Sequence, residues 1–157
     1  MNRNNPNTLN HPSKLILLGE DDIDDQEFLE EVFSSIDNSY CLKSVNNGKK
    51  LITHWESLED ELLPYLIILD YNLPELNGAE ILKILNAHKR YQSIPKIIWS
   101  TSNSKIYKSA CIKLGASDYL VKPSSRIFLC QFFTLIRKNW ILQIRLRRIN
   151  LSRKVIL

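Results

Sequence analysis

Short apolar runs and amphipathic stretches alternate along this chain. Residues 14–19, KLILLG, form a compact apolar run. Behind them, DDQEFLEEVFSSI sets Phe28, Leu29, Val32, Phe33 and Ile36 at helical spacing, with Asp24 and Asp25 at the end where a helix dipole favours acids. CLKSV then reads as a second strand, and a helix follows from about Gly48 with Leu51, Ile52, Trp55 and Leu58 on one face. YLIIL is the third strand, and NGAEILKILNAHK the third helix, with Ile81, Leu82 and Leu85 turned inward. KIIWS, after Pro95, is the fourth strand, and SKIYKSACIKLG a fourth helix stopped by Gly115. SDYLV is the fifth strand, and a long helix begins near Ser125. The strands are continuously apolar rather than alternating, as expected where helices cover both faces of a sheet. The pattern predicts an α/β fold: a doubly wound, five-stranded parallel sheet with right-handed crossovers.

Composition narrows this picture only a little. A chain of 157 residues, 44% hydrophobic and 24% charged, suits one soluble domain with some chain to spare. No run approaches the roughly 20 apolar residues of a bilayer span; the densest, residues 127–136, contains Gln131 and Thr134. The Asn-rich start lacks an apolar signal core, so residues 1–12 are expected to be a disordered tail of a cytoplasmic protein. Cys41, Cys111 and Cys130 have no metal-ligand spacing and read as small apolar fillers in a reducing compartment. His11, His54 and His88 are scattered and match no catalytic spacing. Charge changes the picture more. Residues 126–157 carry eight Lys or Arg and no acid, which leaves 13 basic and 17 acidic residues in the body. An acidic domain is followed by a basic end.

Ligands of doubly wound sheets bind beyond the carboxyl ends of the strands. Strand one ends in Glu20, Asp21 and Asp22; strand three in Asp70; strand four in Ser100 and Thr101; strand five in Lys122 and Pro123. Acids, a hydroxyl and a lysine, far apart in sequence, thus meet on one edge. Crowded carboxylates repel and call for a cation. Lys122 supplies one charge, and a hard divalent ion such as Mg2+ suits the oxygen ligands Glu20, Asp21 and Asp70 with the backbone carbonyl of Asn72. A carboxylate at the rim of a buried strand, beside a cation and a lysine, can act as a nucleophile on phosphorus. Ser100 and Lys122 would then hold the transferred oxygens.

In these residues the chain resembles the receiver domain of two-component response regulators. The likeness rests on Glu20-Asp21, on LDYNLPELNG around Asp70, on Ser100, on GASDY at 115–119 and on Lys122-Pro123, in order and at family spacing. It covers residues 13–142, and the chemotaxis receiver with its flavodoxin-like strand order 2-1-3-4-5 belongs to this class. LGEDD, STS and the elongated last helix are also similar to the single-domain receivers that partner bacterial phytochromes. The resemblance implies that Asp70 is the phosphoacceptor, Asp21 the direct Mg2+ ligand and Glu20 a ligand mostly through water. Asp22 is expected to be a surface or capping acid. Ser100 and Tyr119 would be a switch pair that repacks the face of helix four, strand five and helix five. Two departures stand out. Gly19 replaces a common apolar residue, which is expected to loosen the approach to the acids. Thr101 replaces a small residue, which is expected to slow hydrolysis of the phosphate.

The expected function is a stand-alone phosphoacceptor protein rather than a turnover enzyme. It would be served by a sensor histidine kinase or phosphotransfer protein, and would signal to a protein target or pass its phosphate onward. A phosphorylation-independent interaction module is the alternative. A haloacid-dehalogenase-type hydrolase would need a second acid where Asn72 stands, and no G-x-G-x-x-G follows strand one. The basic extension, residues 143–157, leaves three readings open: an overlong solvated helix, a dimer-forming helix, or a nucleic-acid or anionic-membrane contact. It is too short for a folded DNA-binding domain. A homodimer could also form through helix four, strand five and helix five.

Overall fold

A computed structural model describes residues 14–124. Cys130, the N-terminal tail, the helix expected from near Ser125 and the basic extension lie outside the described residues. Five strands form one parallel sheet: β1 (Lys14–Gly19), β2 (Tyr40–Val45), β3 (Leu66–Asp70), β4 (Lys96–Ser100) and β5 (Asp118–Val121), in the order β2-β1-β3-β4-β5. The order and the parallel pairing are those expected from the sequence. The helices are α1 (Ile23–Ile36), α2 (Gly48–Glu56), α3 (Gly78–Ala87), α4 (Lys89–Gln92) and α5 (Lys105–Lys113), so the fourth helix of the sequence reading is α5.

The apolar strands sort their side chains by the two-residue period of the pleat. Ile16, Leu18, Leu66, Ile68, Ile97 and Trp99 point to one face, where α1 buries Phe28, Leu29, Val32 and Phe33. Leu17, Ile67, Leu69 and Ile98 point to the other, against Leu51 and Trp55 of α2, Ile81, Leu82 and Leu85 of α3, and Cys111 of α5. An unbroken apolar run is therefore two half-cores back to back.

Four expectations need correction. β2 is not continuously buried: its residues alternate between partly buried and exposed, because it is an edge strand with one neighbour. Cys41, on that strand, is exposed and fills no core, whereas Cys111 is buried. The third helix breaks at His88, whose extended backbone separates α3 from the short α4. Gly19 also does not loosen its surroundings. A Cβ there would stand 2.8 Å from a Leu51 methyl and 3.0 Å from one of Leu73, so leucine side chains already fill that space.

Glycine is required where the β3–α3 loop folds under Asp70. A Cβ on Gly78 would come within 2.9 Å of the Asp70 carbonyl oxygen. Its absence lets the Gly78 amide donate to the Tyr71 carbonyl at 3.0 Å and brings the start of α3 under the strand end. Asn77 and Glu80 close a full capping box there.

Candidate functional site

Each strand delivers its terminal residue to the same edge. Glu20 follows β1 and is fully buried; its amide is held by the Val45 carbonyl at 3.0 Å. Asp70 is the last residue of β3 and 6% exposed, while Asp21 is exposed to solvent. Carboxylate oxygens of Glu20, Asp21 and Asp70 lie within 4.8 Å of one another. Asp21, alone of the three acids, also lines an open cleft of about 570 Å3 with Gln26, Lys43, Lys50 and His54.

Lys122 is the cationic centre of this edge. Its Nζ donates to Glu20 Oε2 at 2.7 Å, to Asp25 Oδ2 at 2.8 Å and to Asp70 Oδ2 at 2.9 Å. An ammonium has three protons, and all three are committed. Burial opposes the charge on Lys122, but its hydrogen bonds to Asp25, Glu20 and Asp70 win and hold the amine above its ordinary range. Burial pushes the Glu20 carboxyl up to about 7, and Lys122 pulls the other way. Asp70 is fixed on both oxygens: Oδ2 by Lys122, and Oδ1 by the Asn72 amide at 2.9 Å.

The sequence reading placed Glu20, Asp21, Asp70 and Lys122 together, and the structure brings them together. Asn72 reaches Asp70 through its backbone amide, and its side chain is exposed. Ser100 is buried, and its hydroxyl accepts from the Ser102 amide at 3.1 Å, which caps the strand end. Tyr119 is buried with its hydroxyl donating to the Ser102 carbonyl at 2.9 Å, so both members of the expected pair engage the loop after β4. Asp22 is the N-cap of α1, accepting from the Asp25 amide at 3.1 Å. Thr101 is exposed.

Asp25 is the residue that sequence reasoning missed. Its position in the first turn of α1 gave it a ready explanation as a dipole-matching acid. The available signal was its spacing. Asp25 lies three residues beyond the cap Asp22, so the first turn of α1 carries it back toward the point where the chain leaves the acid pair. Tyr71 was also overlooked: its ring stacks on Tyr107 of α5 with centroids 5.1 Å apart, tying the loop after Asp70 to α5.

The description "Response regulator receiver domain" matches residues 16–133 of this chain. The chain belongs to the response regulator receiver family. Among relatives, this receiver is 29% identical over 116 residues to the two-component response regulator ORR3 of rice (Oryza sativa subsp. indica), covering 74% of this chain and 85% of that one. Such receivers are therefore not confined to bacteria. Among solved structures it is similar to the Mn2+-bound form of the response regulator Rcp1, at 28% identity and TM-score 0.71, covering 82% of this chain and 94% of that one. The phosphorylated cyanobacterial phytochrome response regulator RcpA shares the fold at 24% identity and TM-score 0.74, with the same two coverages of 82% and 94%. Among the described residues, no helix of this receiver is long and apolar enough to cross a membrane.

Proposed function

We propose that this receiver is a cytoplasmic phosphoacceptor. It takes a phosphoryl group onto Asp70 from a phosphohistidine on a sensor kinase or phosphotransfer protein, in a Mg2+-dependent reaction. The carrying observation is a nucleophile held on both oxygens, with Lys122 at 2.9 Å and two further acids within 4.8 Å.

In this reading a carboxylate oxygen of Asp70 forms the new O–P bond as the P–N bond of the donor breaks, and the imidazole leaves with the electron pair. The strand holds the Asp70 carboxylate in place, with both oxygens fixed by hydrogen bonds. Lys122 stabilises charge on the phosphoryl oxygens. An all-oxygen set of three carboxylates with one lysine is short of positive charge and fits a hard divalent cation. Glu20, Asp21 and Asp70, with the Asn72 carbonyl, are the residues that would hold it. Bound Mg2+ would neutralise charge shared by these acids and the incoming group; the relative Rcp1 is described as Mn2+-bound. The Ser100 hydroxyl would leave the Ser102 amide for a phosphoryl oxygen, and Tyr119 would respond through the same loop. Signal output is proposed to run by protein contact, or by onward phosphotransfer. α5 and β5 expose Ile106, Tyr107, Ile112 and Val121, which suits contact with a protein partner or a second copy.

The test is intact mass after incubation with MgCl2 and acetyl phosphate, beside Asp70→Asn. A labile gain of one phosphoryl group in the wild type alone is expected. No gain there, nor with a phosphohistidine donor, makes the chain an interaction module that keeps the fold.

A further inference from the structure

We infer that Asp25 is a latch on Lys122, released when Asp70 is phosphorylated and coupling the site to the start of α1. The inference rests on Asp70 being the phosphoacceptor.

The three protons of Lys122 are all donated, to Glu20, Asp25 and Asp70 at 2.7, 2.8 and 2.9 Å. A phosphoryl group brings three more acceptor oxygens and roughly two negative charges. The proton that Lys122 gives Asp70 can pass to a phosphoryl oxygen, but three new acceptor oxygens on one group call for a second donor, so one of the other two carboxylates must yield. Glu20 is the worst candidate. Its side chain is fully buried and anchored a second time, with Oε1 accepting from the Asp22 amide at 3.1 Å. Asp25 is the best. Its side chain is 33% exposed, so water can replace the lysine at little cost. It also stands outside the Glu20–Asp21–Asp70 cluster, so no metal at that cluster would retain it.

The caps of α3 and α1 differ at this position. In α3 the capping box is complete: Asn77 accepts from the Glu80 amide, and Glu80 accepts from the Asn77 amide at 2.9 Å. In α1 the same pattern is half made. Asp22 accepts from the Asp25 amide, but the Asp25 carboxylate, which would close the box on the Asp22 amide, has gone to Lys122. Glu20 serves that amide instead. That amide is therefore taken, and Asp25, three residues beyond its cap and 33% exposed, turns to solvent when charge repulsion from the phosphoryl group drives it off Lys122. Asp25 is a positioning residue: it acts on the chemistry by occupying Lys122.

Two measurements test this. The first is the initial rate of phosphoryl gain at saturating MgCl2 with acetyl phosphate, read by intact mass for wild type, Asp25→Asn and Asp25→Glu. Loss of the competitor in Asp25→Asn is expected to raise the rate by about tenfold, the size of one half-exposed charge-assisted hydrogen bond, and Asp25→Glu to return it toward wild type. The second needs no variant: hydrogen exchange of the first-turn amides of α1 is expected to change on phosphorylation of the wild type. Equal rates in wild type and Asp25→Asn, or first-turn exchange indifferent to the phosphoryl group, overturns the latch and leaves the phosphoacceptor reading intact. No mass gain in any protein overturns both.

Discussion

Two lysines are buried at opposite ends of this sheet, and they are held in opposite ways. Lys122 follows β5 at the carboxyl edge and touches three carboxylates. Lys96 opens β4 at the amino edge, is 1% exposed, and donates to the carbonyls of Tyr91 and Ile94 at 2.7 and 2.9 Å. No carboxylate of the described residues lies within 4.0 Å of it. Burial lowers its amine to about 8, whereas the acids raise that of Lys122. Shielding a lysine from water therefore does not by itself set its role. Lys96 ties β4 to the turn after α4, a task that uses only its hydrogen bonds. Lys122 neutralises an edge that would otherwise fly apart, and that charge is available for chemistry.

Removing each lysine sharpens the contrast most. Lys122→Met leaves three acids facing one another, and urea denaturation of the metal-free protein is expected to show a loss of about 3–5 kcal/mol. Lys96→Met exchanges two hydrogen bonds for relief from a desolvated charge, and is expected to change stability at pH 7 by about 1 kcal/mol or less. If the two variants lose the same amount, the contrast fails.

The pH dependence of Lys96 separates the two next. Its folded amine titrates near 8 and its unfolded amine near 10.5. Between those values the unfolded chain binds more protons, so stability rises with pH across the window and is lowest below 8. Wild type is expected to gain on the order of 3 kcal/mol over Lys96→Met from pH 8 to 10.5, by chemical denaturation at each pH. A constant difference would mean that the two carbonyls hold the amine at its ordinary value.

At the acidic edge, added positive charge should help and removed negative charge should help less. MgCl2 at a hundred times its dissociation constant is expected to stabilise the fold by about 2.7 kcal/mol. Asp70→Asn should stabilise the metal-free protein by about 1 kcal/mol, by relieving repulsion. Thermal melts that rise in neither case would show that Lys122 alone balances the edge. The smallest expected effect is at Thr101. Its alanine variant should shorten the lifetime of the aspartyl phosphate, timed by mass after donor removal, and an unchanged lifetime removes Thr101 from the account.

The strands, their parallel order and four of the five residues on the acidic edge were legible along the chain. Those follow from local properties: apolar runs bounded by polar residues, helical spacing, and the rule that such sheets present their strand ends on one side. Lys122, Asp70, Glu20 and Asp21 were legible because each directly ends or follows a strand. Tertiary structure decided what spacing cannot carry. β2 carries Lys43 and Ser44 where β1 and β3 are apolar, yet only its place at the sheet edge exposes Cys41. Gly19 reads as a gap until Leu51 and Leu73 are seen to fill it. Lys96 reads as a strand's polar first residue until burial removes its water. Asp25 has a sufficient local explanation in its helix dipole, and only the arrival of Lys122, 97 residues away in the chain, gives its carboxylate a different partner. Local sequence sets which backbone forms. Which charges meet depends on chain closure over long separations, and no short pattern records it.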